Sequence, residues 1–161
     1  MSVRTISLVL AILIASIALP GSLQAQKKNP IMGTWTLNVA KSKYISEAPP
    51  RSRTLKFTPV GRNGLKLIND AVMANGEKSH IDETFLQDGK EHALHGSANA
   101  DTHINVQLDE YNSQTINYKR GKPVQVLKRV VSQDGRTLTI IVSRTDANGN
   151  AVDDFRVFDK Q

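Results

Sequence analysis

Turn-forming residues punctuate the chain about every 10 to 14 positions: Gly61-Arg-Asn-Gly64, Asn75-Gly76, Asp88-Gly89, Gly96 to Asp101, Asp109 to Asn112, Gly121-Lys-Pro123, Asp134-Gly135 and Asn148-Gly149. Asn-Gly and Asp-Gly pairs supply the positive φ angles that tight hairpins require, so most of these joints are expected to connect neighbouring antiparallel strands. Between the joints, apolar and polar residues alternate with period two, the mark of a half-buried strand. In one such run Thr102, Ile104, Val106 and Leu108 share a face and His103, Asn105 and Gln107 share the other; Ile104, Val106 and Leu108 are the expected interior. Comparable runs lie at 35–39, 54–57, 65–69, 79–86, 91–95, 114–118, 124–131, 138–142 and 152–158, making ten strands in all.

No segment after the first 25 residues offers an amphipathic helix, since 40–50 is short and ends in Pro49-Pro50, which blocks continuation. Ten hairpin-linked strands without a covering helix leave long unpaired edges unless the sheet closes on itself. The expected fold is therefore all-β, a closed antiparallel up-and-down (meander) barrel, with a two-sheet sandwich as the alternative. Leu67, Phe85, Leu138, Ile140 and Val142 are further candidates for its wall or core.

Residues 1–25 read differently. Arg4 precedes the apolar run 6–19, Pro20-Gly21 breaks it, and small residues lead to Ala25. That order is a secretory signal peptide, too short in its apolar part for a membrane span of about 20 residues. It leaves 26–161 as one barrel domain with no integral membrane segment, expected to be a monomer in the periplasm or outside the cell. The chain has no cysteine and no Asn-x-Ser/Thr sequon, so neither a disulfide nor a lipidated cysteine holds it, and a bacterial exported protein fits best. The formal net charge of +6 is dispersed in small knots such as Lys41-Ser-Lys43 and Lys119-Arg120-Gly-Lys122. Nucleic-acid binding would need those charges on one face with aromatics between them, and the chain has only 1 Trp, 3 Tyr and 4 Phe.

Gly33-Thr34-Trp35, opening the first strand, resembles the entry motif of the calycin barrels, the lipocalins and fatty-acid-binding proteins. The stretch from Lys128 through Asp134-Gly135 to Thr139, then Asn148-Gly149 and Phe155-Arg156-Val157-Phe158, is similar to the last three strands of fatty-acid-binding proteins and to secreted bacterial lipocalin-like proteins. The resemblance implies that Trp35 packs at the closed end of the barrel. It also implies that Arg129 and Arg156 hold a ligand carboxylate, with Phe158 standing where the family has a tyrosine donor. Two departures accompany it: 40–50 cannot hold the family's helical lid, and no helix follows the last strand.

Alternation leaves the direction of both arginines open. Arg156 shares a face with Val152, Asp154 and Phe158, and Arg129 shares one with Leu127 and Val131. Val124, Val126, Lys128 and Val130 form the more apolar face of the latter strand, which alternation alone would turn inward. His80 and His103 are the weak candidates for a metal site, within a window that also holds His92 and His95; scattered polar strand positions explain them better, and no metal or other cofactor is expected. Asp82 and Glu83, being consecutive on a strand, face opposite sides. Catalytic signatures such as Gly-x-Ser-x-Gly, His-Glu-x-x-His and a cysteine nucleophile are missing, so an enzyme is not expected.

The reading that fits these features is an exported, non-enzymatic binding protein for a small hydrophobic or amphipathic molecule, including a carboxylated one. The alternatives are an envelope structural or interaction protein with a packed barrel and a functional loop at 41–53, and a histidine-dependent metal-binding protein or enzyme.

Overall fold

The ten strands expected from the sequence are the ten found: β1 (Gly33–Leu37), β2 (Ser52–Val60), β3 (Gly64–Val72), β4 (Lys78–Leu86), β5 (Asp88–Ala93), β6 (Thr102–Gln107), β7 (Asn112–Lys119), β8 (Lys122–Val131), β9 (Thr137–Thr145) and β10 (Ala151–Lys160). The structure is a computed structural model that describes residues 29–45, 47–145 and 149–161. The signal peptide expected at 1–25 lies outside the described residues, as does part of the Asn148-Gly149 joint. Among the described residues no helix is long and apolar enough to cross a membrane.

All ten strands form one antiparallel sheet in the order β4-β3-β2-β1-β10-β9-β8-β7-β6-β5. Pairing of β1 with β10, with Trp35 opposite Lys160 and Leu37 opposite Phe158, joins the chain's first and last strands and curls the meander into a nearly closed barrel. Closure leaves two strands, β4 and β5, without a ladder between them. The sequence reads Asp88-Gly89 as a hairpin turn, but the pair opens β5 instead. Gly89 adopts φ 71°, and the β5/β6 register shifts between Asp88 and Glu91, a bulge that turns the strand toward β6 and away from β4.

One end of the barrel carries the 61–63, 108–111 and 132–136 turns, and it is packed solid. Ile31, Trp35, Phe57, Leu65, Phe85, Val131, Leu138 and Phe158 are all buried there. The Trp35 indole donates to the Ile31 carbonyl at 2.7 Å, and Lys160 Nζ sits 4.7 Å from the ring centroid, so residues 31–35 plug this end. Gly33 makes the entry into β1 possible at φ 118°, a value that strains a residue with a Cβ. At the opposite end lie the 120–121 turn, the 94–101 loop and the link from β1 to β2. That link holds only a 3-10 turn at Val39–Lys41 among its described residues, with no helix pair over the opening.

Aspartates fasten the joints. Asp109 accepts from the Tyr111 and Asn112 amides, Asp134 from the Ser132 hydroxyl and the Arg136 amide, and Asp101 from Lys119 and the Arg120 amide. Arg120 itself has φ 50°, so this last bond holds a backbone conformation that side chains disfavour. These hydrogen bonds hold all three carboxyls below the usual carboxylate range. A carboxyl whose folded pKa is depressed adds stability above its unfolded value of about 3.9, and that stability is lost as pH falls through the folded value. The thermal midpoint, followed by circular dichroism, is expected to drop as the pH is taken below about 4, with the drop reduced in Asp134→Asn. A drop centred near pH 6 would place the acid sensitivity elsewhere.

Candidate ligand site in the barrel interior

Residues paired across an antiparallel ladder lie on the same side of the sheet, so register carries the inward face from strand to strand. Leu138, Ile140 and Val142 make β9 decisively one-sided, and all three are buried. They pair with Val131, Arg129 and Leu127, which turns that face of β8 inward and leaves Val124 and Val130 exposed outside. The more apolar face of β8 thus lies outside, contrary to what alternation within that strand favours. From β8 the register passes to Ser113 and Thr115 of β7, and from there to Gln107 and Asn105 of β6; Asn117 carries it to His103.

The outcome on β6 is also the reverse of the sequence expectation. His103 and Asn105 are buried, Ile104 and Val106 are half-buried on the outer face, and Leu108 is 59% exposed. Local pattern loses here because β6 must follow the phase set by β9. Leu67, Phe85, Leu138, Ile140 and Val142 do line the core as expected.

Arg129 stands at the centre of this polar wall. Its Nη1 donates to Thr115 Oγ1 at 2.7 Å, the Thr115 hydroxyl donates to Asn105 Oδ1, and Asn105 Nδ2 is buried with no partner. The guanidinium carbon lies 5.7 Å from the Phe85 ring centroid. Across the gap between β4 and β5, His103 packs edge-on to Phe85 and its Nδ1 is 3.4 Å from Glu83 Oε1, so side chains close from inside what the ladder leaves open. Among the described residues no carboxylate reaches ion-pair distance of Arg129. Burial lowers this guanidinium to about 10, partly offset by the Glu83 charge, and it remains cationic at neutral pH.

Arg156 also points inward, on one row with Ile140 and Arg129. Two strand spacings, about 10 Å, separate the two arginine backbones. The side chains then diverge: Arg156 Nη2 reaches Asp154 Oδ2 at 3.1 Å and Glu47 Oε1 at 2.8 Å, and the guanidinium covers the Tyr44 ring at 5.3 Å. Asp154 is fully buried and also accepts from Arg144 at 3.2 Å and from the Ile45 amide at 2.8 Å. Phe158 lies in the packed core at the plugged end and contributes no polar group. Near the other end a concavity of about 370 Å3 is lined by Asn117, Gln125 and Arg144 from the strands and by Ser97, Asn99 and Ala100 from the 94–101 loop.

The two weak metal candidates do not converge. His80 is exposed beside Asp70 at 2.6 Å, while His103 faces the interior. Among the described residues no group of three or more His, Asp or Glu is placed to hold a metal ion. As the strand alternation requires, Asp82 pairs with Lys66 and Glu83 faces His103. The site residues that sequence reasoning missed are Asn105, Thr115 and Arg144; an Arg156–Asp154 pair is also conceivable from the sequence, but on the outer wall, whereas Asp154 is fully buried. The one-sidedness of β9 was the signal that would have found the first two, and Arg144 shares a face with Val142.

No protein-family model matches this sequence, and neither does any curated protein. Solved structures match its fold. A Schistosoma mansoni fatty acid binding protein in complex with arachidonic acid superposes with a TM-score of 0.61 at 15% identity, over 82% of this chain and 96% of that one. The fluorescent protein UnaG, wild type, gives 0.59 at 13% identity, over 81% and 97%. Zebrafish ileal bile acid-binding protein complexed with cholic acid gives 0.52 at 13%, over 82% and 99%. The fold is that of the calycin barrels, in the ten-stranded form of the fatty-acid-binding proteins.

Proposed function

We propose that the chain is a non-enzymatic binding protein that holds a small amphipathic molecule inside its barrel, with an anionic head against Arg129. The observation that carries this reading is a buried charge with no carboxylate at ion-pair distance among the described residues. A buried cation is expensive, and proteins normally set a carboxylate against it. Here the acceptor is one hydroxyl, while further guanidinium donors and the Asn105 amide remain for a guest. A planar fork of donors suits a carboxylate, and a desolvated site strengthens the attraction. Structural neighbours named for fatty acid and bile acid binding support the same class of guest.

On this reading the leader 1–25 exports the chain, and the mature monomer carries its ligand in the periplasm or outside the cell. Native mass spectrometry on residues 26–161, purified gently from a bacterial envelope fraction, tests both parts. The expected spectrum shows a monomer missing the leader, with an adduct that releases an acidic amphiphile on denaturation. An apo mass that stays apo after incubation with long-chain carboxylates would overturn the binding reading.

A further inference from the structure

Away from Arg129, four more buried polar atoms lack a hydrogen-bonding partner among the described residues: Asn69 Oδ1, Tyr44 Oη, Arg53 Nε and Arg156 Nε. The last three belong to one cluster. The Arg156 guanidinium stacks on Tyr44 at 5.3 Å, and the charges of Arg53 and Arg156 both act on the Tyr44 hydroxyl. Arg53 arrives from β2 and Tyr44 from the link between β1 and β2, so this cluster shares no residue with the Arg129, Thr115 and Asn105 wall.

Among the described residues Asp154 and Glu47 are the carboxylates of this cluster, and Arg144 and Arg156 engage them. Among the described residues no carboxylate comes within ion-pair distance of Arg53, and its side-chain hydrogen bond is a weak one from Nη2 to Met73 Sδ at 4.0 Å. Burial and then the neighbouring Arg156 charge lower its pKa and so disfavour the charge it carries, with Tyr44 and Glu47 offsetting part of the effect. A half-buried guanidinium beside an unpaired phenol is the arrangement of an anion site whose anion comes from outside the chain.

We infer that Arg53, Tyr44 and the Nε of Arg156 receive a second anionic group, so that the ligand is an amphiphile with two acidic groups on one skeleton, one on Arg129 and one at the open end. This inference rests on the proposed binding of an anionic head by Arg129. The second group sits where the β1 to β2 link passes, close to solvent, so the ligand lies along the barrel with both ends anchored.

Isothermal titration of α,ω-dicarboxylates of increasing chain length, each against the monocarboxylate of the same length, tests this. At the best length the diacid is expected to bind roughly 10- to 100-fold tighter, the value of one charge-assisted hydrogen-bonded contact. Arg53→Met should bring that ratio close to one, and Tyr44→Phe, which removes a single oxygen and keeps the ring beneath Arg156, should lower it. Monoacid binding that depends on Arg129, with diacids no tighter at any length, would overturn the second site and leave the proposed function standing. So would an Arg53→Met variant that weakens mono- and diacid equally. Two monoacids per chain would show that the open end takes a separate molecule and would overturn the two-headed ligand. Binding of neither class would overturn both readings.

Discussion

Arg129→Met is expected to make the protein more stable and to weaken its hold on a long-chain carboxylate. The first effect follows from the guanidinium's burial. Burial lowers the guanidinium to about 10, so its charge costs the folded state on the order of a few kcal/mol, a cost present at every pH below that value. Methionine fills the same lane beside Phe85 and Leu127 without a charge, and replacing buried ionic groups with apolar ones of similar volume gains about 1–4 kcal/mol in favourable cases. Freed of its donor, Thr115 keeps its bond to Asn105. For a domain of this size the gain corresponds to a thermal midpoint higher by roughly 4–10 °C. The second effect is larger. Truncating one partner of a buried, hydrogen-bonded charge pair costs about 2–5 kcal/mol of binding, roughly 30-fold or more in affinity. Calorimetry on the apo variant and titration with a fatty acid check the two halves separately. A variant that loses stability would mean that Arg129 is paired in the native state and built for the fold.

Asp154→Ala has the opposite sign. The carboxylate is fully buried, and one oxygen accepts from the Ile45 amide while the other accepts from Arg144 and Arg156. Its removal leaves two guanidiniums without this counter-charge and one amide without an acceptor. Breaking a buried pair from one side costs about 3–5 kcal/mol, a large share of the 5–15 kcal/mol that holds a typical domain together. The damage is expected to be local first, because Asp154 fastens the strand-like bridge between Lys43 and Phe155 through Ile45. Urea unfolding followed by far-ultraviolet circular dichroism gives the loss. Asp154→Asn, which keeps an acceptor for Ile45 and loses the charge, should fall between wild type and Ala. A loss below about 1 kcal/mol in Asp154→Ala would show that Arg144 and Arg156 find other partners at no cost.

Strand number and closure were legible because two independent signals agree along the whole chain: turn residues such as Asn75-Gly76 and Asp134-Gly135, and period-two alternation between them. The exception at Asp88-Gly89 has a physical cause. The pair has the right chemistry for a hairpin, but a glycine at positive φ serves a bulge equally well, and only the partner strand decides between them. Inward faces were less legible. On β6, Ile104 and Val106 outbid His103 and Asn105 by local hydrophobicity, yet the phase is set three strands away by Leu138, Ile140 and Val142. A strand forced to bury its polar face against its own pattern is where function is expected to reside, since local and global preferences disagree there. Placement of both arginines inside followed from the same register. That Arg156 would meet Asp154 and Glu47 inside the barrel, while Arg129 kept no carboxylate at ion-pair distance, depends on register and side-chain geometry that alternation within a strand does not encode.

Equilibrium titration of residues 26–161 with a long-chain fatty acid and with the primary alcohol of the same chain length isolates the head group, because the two bury the same tail. The carboxylate is expected to bind at least about tenfold more tightly than the alcohol at neutral pH, with one ligand per chain when the chain carries a single acid. Equal affinities, or a preference for the alcohol, would contradict an anionic head on Arg129.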